Sequence, residues 1–162
     1  MTLQEHISTL SNNKQFCIAI RCIKLALPIW ENYANRNELT YRDSVVGLSH
    51  SVDISLLTRT VNAVHQYLSS NRKKDILFKL RERFDDPIVA LQDRDWKLPD
   101  EVQKTFYSVF NLLEACLGNL ESSFGELTIY ISINQAVDAL DISKIVTPEE
   151  IKDTLYEREN GR

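Results

Sequence analysis

CIAIRCIKLALPIWENY, residues 17–33, holds two cysteines, a mid-segment proline and a tryptophan followed by an acid. Its reading decides the fold. Phe16, Ile20, Ile23, Leu27 and Trp30 follow a 4-3-4-3 spacing, and Ile18, Cys22, Leu25 and Ile29 form a second stripe beside them. Only Lys14, Arg21, Lys24 and Glu31 make a polar strip. A helix that is apolar around most of its circumference is packed by neighbours on several sides. Pro28 lacks a backbone donor and leaves the Lys24 carbonyl without its usual partner, so a kink is predicted near 24–28. The segment reads as a buried, bent central helix over 14–34.

The thiols belong to the same reading. Cys17 and Cys22 are five residues apart, which on a helix places them about 140° apart around the axis and about 8 Å apart. That exceeds disulfide reach. Cys116 is remote, no C-x-x-C occurs, and no histidine flanks the pair. A zinc site is therefore not expected, and the cysteines read as core residues.

Outward from this helix, the 162 residues predict one domain, 1–162, burying roughly 70% of its unfolded surface. Four glycines and four prolines are too few for an all-β domain, which needs many tight turns. The predicted fold is all-α, a single-domain bundle of six to eight helices. Thr2-Leu-Gln-Glu5 is a capping box. A short helix is expected at 41–48, and a longer one carries Ile54, Leu57, Val61, Val64 and Leu68. Another carries Ile76, Leu77, Leu80 and Phe84. Pro87 and Pro99 both sit where proline opens a helix, giving a short helix at 87–93 and a long one from Pro99 to about Ser122. Segment 125–140 fits either strand or helix periodicity; helix is preferred, because a strand there finds no partner. Thr147-Pro-Glu-Glu150 opens the last helix. No apolar run approaches the ~20 residues that span a bilayer, and the N-terminus lacks a secretory pattern. A cytoplasmic protein without membrane contact is expected.

Chemical motifs are sparse. Gly47-Leu-Ser49-His50-Ser51 with Asp53 groups a serine, a histidine and an acid, but a nucleophile elbow needs a second glycine and a preceding strand. Turn and helix-cap roles are the simpler reading. The histidines lack metal-ligand spacing, and four glycines build no phosphate loop. No cofactor, metal or small-molecule substrate is expected, and the chain does not read as an enzyme. Dispersed carboxylates such as Glu31, Asp43 and Glu114 would form a hydrolytic site only by converging in space.

Charge is the uneven feature. Segment 71–84 holds six basic residues and two acids, whereas 85–162 holds seven basic residues and sixteen acids. Such asymmetry exceeds what solubility requires. The acidic part suits a basic protein partner. Its candidate contacts are Asp85, Asp86, Asp93, Asp95 and Trp96, then Glu121 and Glu126. Trp96 among acids offers an aromatic anchor, or else it folds back onto the core. The alternative is a regulatory or adaptor module touching nucleic acid through helix 71–84. Direct nucleic-acid binding is the weaker expectation, since the remaining surface repels a polyanion.

The pattern Ala19-x-x-Cys22-x-x-x-x-Leu27-Pro28-x-Trp30-Glu31 resembles the signature helix of small all-helical immunity proteins from bacterial polymorphic-toxin and contact-dependent growth-inhibition systems. The resemblance implies a cytoplasmic, non-catalytic antitoxin that blocks a toxin domain, commonly a nuclease, by direct binding. It transfers no site residues.

Overall fold

A computed structural model of the chain describes residues 1–70 and 74–156. Seven helices carry the fold: α1 (Leu3–Ser8), α2 (Asn12–Arg36), α3 (Leu56–Ser70), α4 (Asp75–Gln92), α5 (Asp100–Cys116), α6 (Thr128–Ser143) and α7 (Pro148–Tyr156). A small antiparallel hairpin, β1 (Thr40–Arg42) and β2 (Ser49–Ser51), links α2 to α3. The all-α class holds. Among the described residues, no helix is long and apolar enough to cross a membrane.

Helices α2, α5 and α6 pack against one another as the centre. Helix α3 lies on α2 and α5, α4 lies on α3 and α5, and α7 covers α2 and α6. The two apolar stripes of α2 explain its central place: Ile18, Cys22, Ile23, Ile29 and Trp30 are all buried. Pro28 lies within the helix, with its ring on the exposed side. Between α5 and α6 the seam is polar but satisfied. Ser132 Oγ donates to Ser108 O at 2.7 Å, Ser108 Oγ donates back to Ser132 O, and Asn111 Nδ2 donates to Gln135 Oε1 at 2.9 Å. Short serines allow close helix approach, and each buried hydroxyl keeps a partner, which offsets the cost of removing it from water.

Four sequence expectations change. Residues 41–48 are a hairpin, because Asp43 and Gly47 form a turn: the Asp43 carboxylate accepts the N–H of Val45 and Val46, and Gly47 takes φ +74°. The 87–93 helix is the continuation of α4. Its stripe Leu77, Leu80, Phe84, Ile88, Leu91 is buried without a break. At roughly 1.5–3 kcal/mol per buried large apolar side chain, that stripe outweighs about 3 kcal/mol for a proline inside a helix. Helix α5 stops at Cys116 rather than near Ser122, since Gly118 turns left-handed (φ +97°) and Asn119 N–H bonds back to Glu114 O. Cys17 is exposed, whereas Cys22 and Cys116 are buried. The ambiguous 125–140 segment is helical from Thr128, preceded by a single bridge between Glu121 and Leu127.

Helix α4 ends like α5, but with Arg94 in the left-handed position (φ 62°) where glycine is usual. The Arg94 N–H reaches Leu91 O, and the Asp95 N–H reaches Ala90 O at 2.8 Å. In urea unfolding, Arg94→Gly is expected to stabilise by up to about 1 kcal/mol and Gly118→Ala to destabilise by about 1 kcal/mol. A destabilising Arg94→Gly would contradict this helix ending.

Candidate functional site: an acidic cleft between the hairpin and helix α4

The left-handed turn at Arg94 sends the chain back over α4, and two neighbouring residues go opposite ways. Trp96 is 4% exposed and packs inward against Trp30, Tyr41 and Phe106, with ring centroids 6.5, 5.6 and 5.5 Å away. It is a core residue and is withdrawn as a surface anchor: burying the indole outweighs anything its acidic neighbours offer. Asp95 faces outward and fastens the hairpin, accepting the Ser44 backbone N–H and Ser44 Oγ at 3.1 Å each.

The hairpin thus lies beside the C-terminal half of α4, and a cleft of about 140 Å³ separates them. Asp43, Asp86, Asp93 and Asp95 line it together with Tyr41, His50 and Val89. A second cleft of about 250 Å³ shares Tyr41, His50 and Asp86 and extends toward Val52 and Pro87. His50 stacks on Tyr41 with centroids 5.2 Å apart and an interplanar angle of 24°. Burial, then the charges of Asp86 and Asp43, hold the Tyr41 hydroxyl above the ordinary tyrosine range. Carboxylates from the hairpin and from α4 therefore act on the same hydroxyl. Two exposed apolar side chains line the site, Val45 (86%) and Val89, and Val46 and Leu48 of the hairpin loop are exposed as well.

Of the predicted contacts, Asp86, Asp93 and Asp95 meet here. Asp85 lies one position round the helix and pairs with Arg81 at 3.9 Å. Glu121 and Glu126 belong to the loop between α5 and α6. That loop adjoins the α4 N-terminus, because Glu114 near the end of α5 holds Arg81, and the Lys74 charge acts on Cys116. They are therefore at the opposite end of α4 from Asp93 and Asp95. Sequence reading missed Asp43 as a neighbour of these acids, and missed His50, Val45 and Val89 in the same lining. An Asp four residues before a glycine was the available signal for a turn that projects apolar residues.

The other candidate chemistries disperse. Glu114 is buried and accepts from Arg81 Nε and, at 2.8 Å, from Asn119 Nδ2. Asp43 serves the hairpin turn, and Glu31 is exposed on α2, so these three carboxylates occupy separate elements with separate surroundings. Asp53 accepts from Ser55 N–H and Oγ at 2.9 Å and from Arg59. The Ser55 bonds, foremost, hold its carboxyl below the usual range. A depressed acid contributes stability above its unfolded pKa and loses it as pH falls through the folded one. This is capping chemistry, as the Ser-His-Asp stretch suggested. Among the described residues, no three metal-ligating side chains cluster. In the basic segment, Arg81 is engaged by Glu114 and Asp85 and Lys74 lies over the Tyr67 ring, while Arg72 and Lys73 fall outside the described residues.

Comparison with protein-family models, with curated proteins and with solved structures finds no match to this chain.

Asp86→Asn removes a like charge facing the Tyr41 hydroxyl. Its ionisation, followed by NMR of labelled tyrosine, is expected to move to lower pH, while that of Tyr107, which burial alone raises, stays in place. An unchanged Tyr41 titration would contradict the cleft geometry.

Proposed function

We propose that this protein is a non-catalytic inhibitor that captures a basic protein domain on the hairpin–α4 face. Combined with the α2 resemblance, the specific reading is an immunity protein neutralising a cognate bacterial toxin, with a nuclease domain as the toxin class that an acidic face suits best. One observation carries the reading: Asp43, Asp86, Asp93 and Asp95, from the hairpin and from α4 with its C-terminal turn, converge around one cleft that also exposes Val45 and Val89. Nucleases hold a polyanion in a cationic cleft, so an inhibitor must present anionic groups with an apolar rim to exclude water. His50, stacked on the buried Tyr41, presents the ring that takes the aromatic role Trp96 gives up to the core. Contact with nucleic acid through 71–84 has less support, since Arg81 is already engaged by Glu114 and Asp85.

The test is co-expression with the product of the neighbouring open reading frame, which the reading requires to be a basic toxin domain. A complex that persists at moderate salt, with loss of the domain's nuclease activity, is expected. In Asp86→Lys/Asp93→Lys the association rate should fall by about tenfold or more at low salt, and the difference should shrink as salt rises. Both positions are exposed, so folding is expected to persist. An unchanged association rate removes the acidic cleft from the interface, and no complex with the neighbouring product removes the immunity reading.

A further inference from the structure

At the opposite end of α3 from the hairpin, a groove of about 570 Å³ runs between the N-terminal half of α2 and the C-terminal end of α3. Trp30 Nε1 donates to Ile54 O at 3.0 Å and pins the far ends of the two helices together. Toward Asn13 and Ser69 the contact is left unfilled. Leu68, the last member of the α3 stripe, is 38% exposed there instead of buried like Leu57, Val61 and Val64. Phe16, Ile20 and Leu68 form the apolar floor. Lys14, Arg21, Lys24 and His65 line the same groove, and none of its lining residues among those described is a carboxylate. In a chain of net charge −4, that is a local reversal of sign.

We propose that this groove binds a small single-chain carboxylate amphiphile, by chemical class a medium-chain fatty acid. Its head group lies toward Lys24 and His65, and its chain lies along Ile20, Phe16 and Leu68. The pairing of an apolar floor with a cationic edge calls for a ligand that is apolar along its length and anionic at one end. The volume falls within the roughly 300–1,000 Å³ usual for small-molecule pockets. Asn13 and Ser69 add polar groups to its lining, and a neighbouring shallow pocket, which shares His65 and Ser69, is otherwise lined by Gln66 and Ser70. The proposal is independent of the acidic cleft.

The groove contains its own reporter. Cys17 is the exposed thiol, whereas burial pushes Cys22 up to about 12 and Cys116 up to about 11, which keeps both in the unreactive thiol form. Alkylation by iodoacetamide, a neutral reagent, therefore reads Cys17. Dodecanoate below its micellar concentration is expected to slow that alkylation saturably. Lys24→Glu should weaken the protection about tenfold, the low end for a charge-assisted hydrogen bond, and Lys24→Arg should preserve it. Dodecyltrimethylammonium, with the same chain and opposite charge, should protect far less. Absence of protection by dodecanoate, or equal protection by the two amphiphiles, overturns the proposal. Protection that Lys24→Glu leaves intact overturns the placement of the head group.

Discussion

The fold depends on the burial of Trp30. Its indole is wholly inaccessible, touches Phe106 of α5 and Trp96 of the α4–α5 connection, and gives its N–H to Ile54 O at the entrance to α3. One side chain thus links α2 to three later parts of the chain. Aromatic pairs add about 0.5–1.5 kcal/mol each beyond the area they bury, and an indole can be buried cheaply only where its N–H finds an acceptor. The cluster extends through Phe84, Phe110 and Tyr41, so the hairpin is held to the helical body by the same aromatic packing that holds the helices to one another.

That continuity gives the acidic cleft its rigidity. Tyr41 is the buried residue of β1, and His50 stacks on its ring. Asp95 fastens the hairpin turn from outside, while Trp96 beside it enters the core. A three-residue strand pair would be marginal alone; between an aromatic underside and a charged clasp it becomes a fixed wall. Carboxylates on fixed walls keep their mutual spacing when a cation approaches, so less ordering entropy opposes binding than for the same charges on a loose loop. The loop bearing Glu121 and Glu126, with Phe124 93% exposed, lies at the other end of α4 and has no part in this face.

What the sequence disclosed followed from periodicity. The stripes of α2, the capping box at Thr2 and the start of α7 at Thr147 all rest on local spacing or local hydrogen bonds. The hairpin was hidden because its strands are three residues long, and Ser49-His50-Ser51 presents no apolar alternation. Pro87 misled because a proline's local cost is visible in sequence, whereas the buried stripe that offsets it belongs to neighbouring helices. Trp96 was undecidable locally: its flanking acids place it at the surface, and only the left-handed turn at Arg94 reveals that it folds inward. The acids of the candidate site were legible as composition, but their convergence was not, since Asp43 and Asp86 meet only through tertiary packing.

The chain has two tryptophans, and both are buried in one aromatic cluster, which makes their solvent contact the most direct measurement. Native emission should be blue-shifted and resistant to iodide and acrylamide, with both quenchers becoming effective together on unfolding. A red-shifted native component that iodide quenches would place one indole at the surface, and the hairpin, the α4 ending and the acidic cleft would lose their common support.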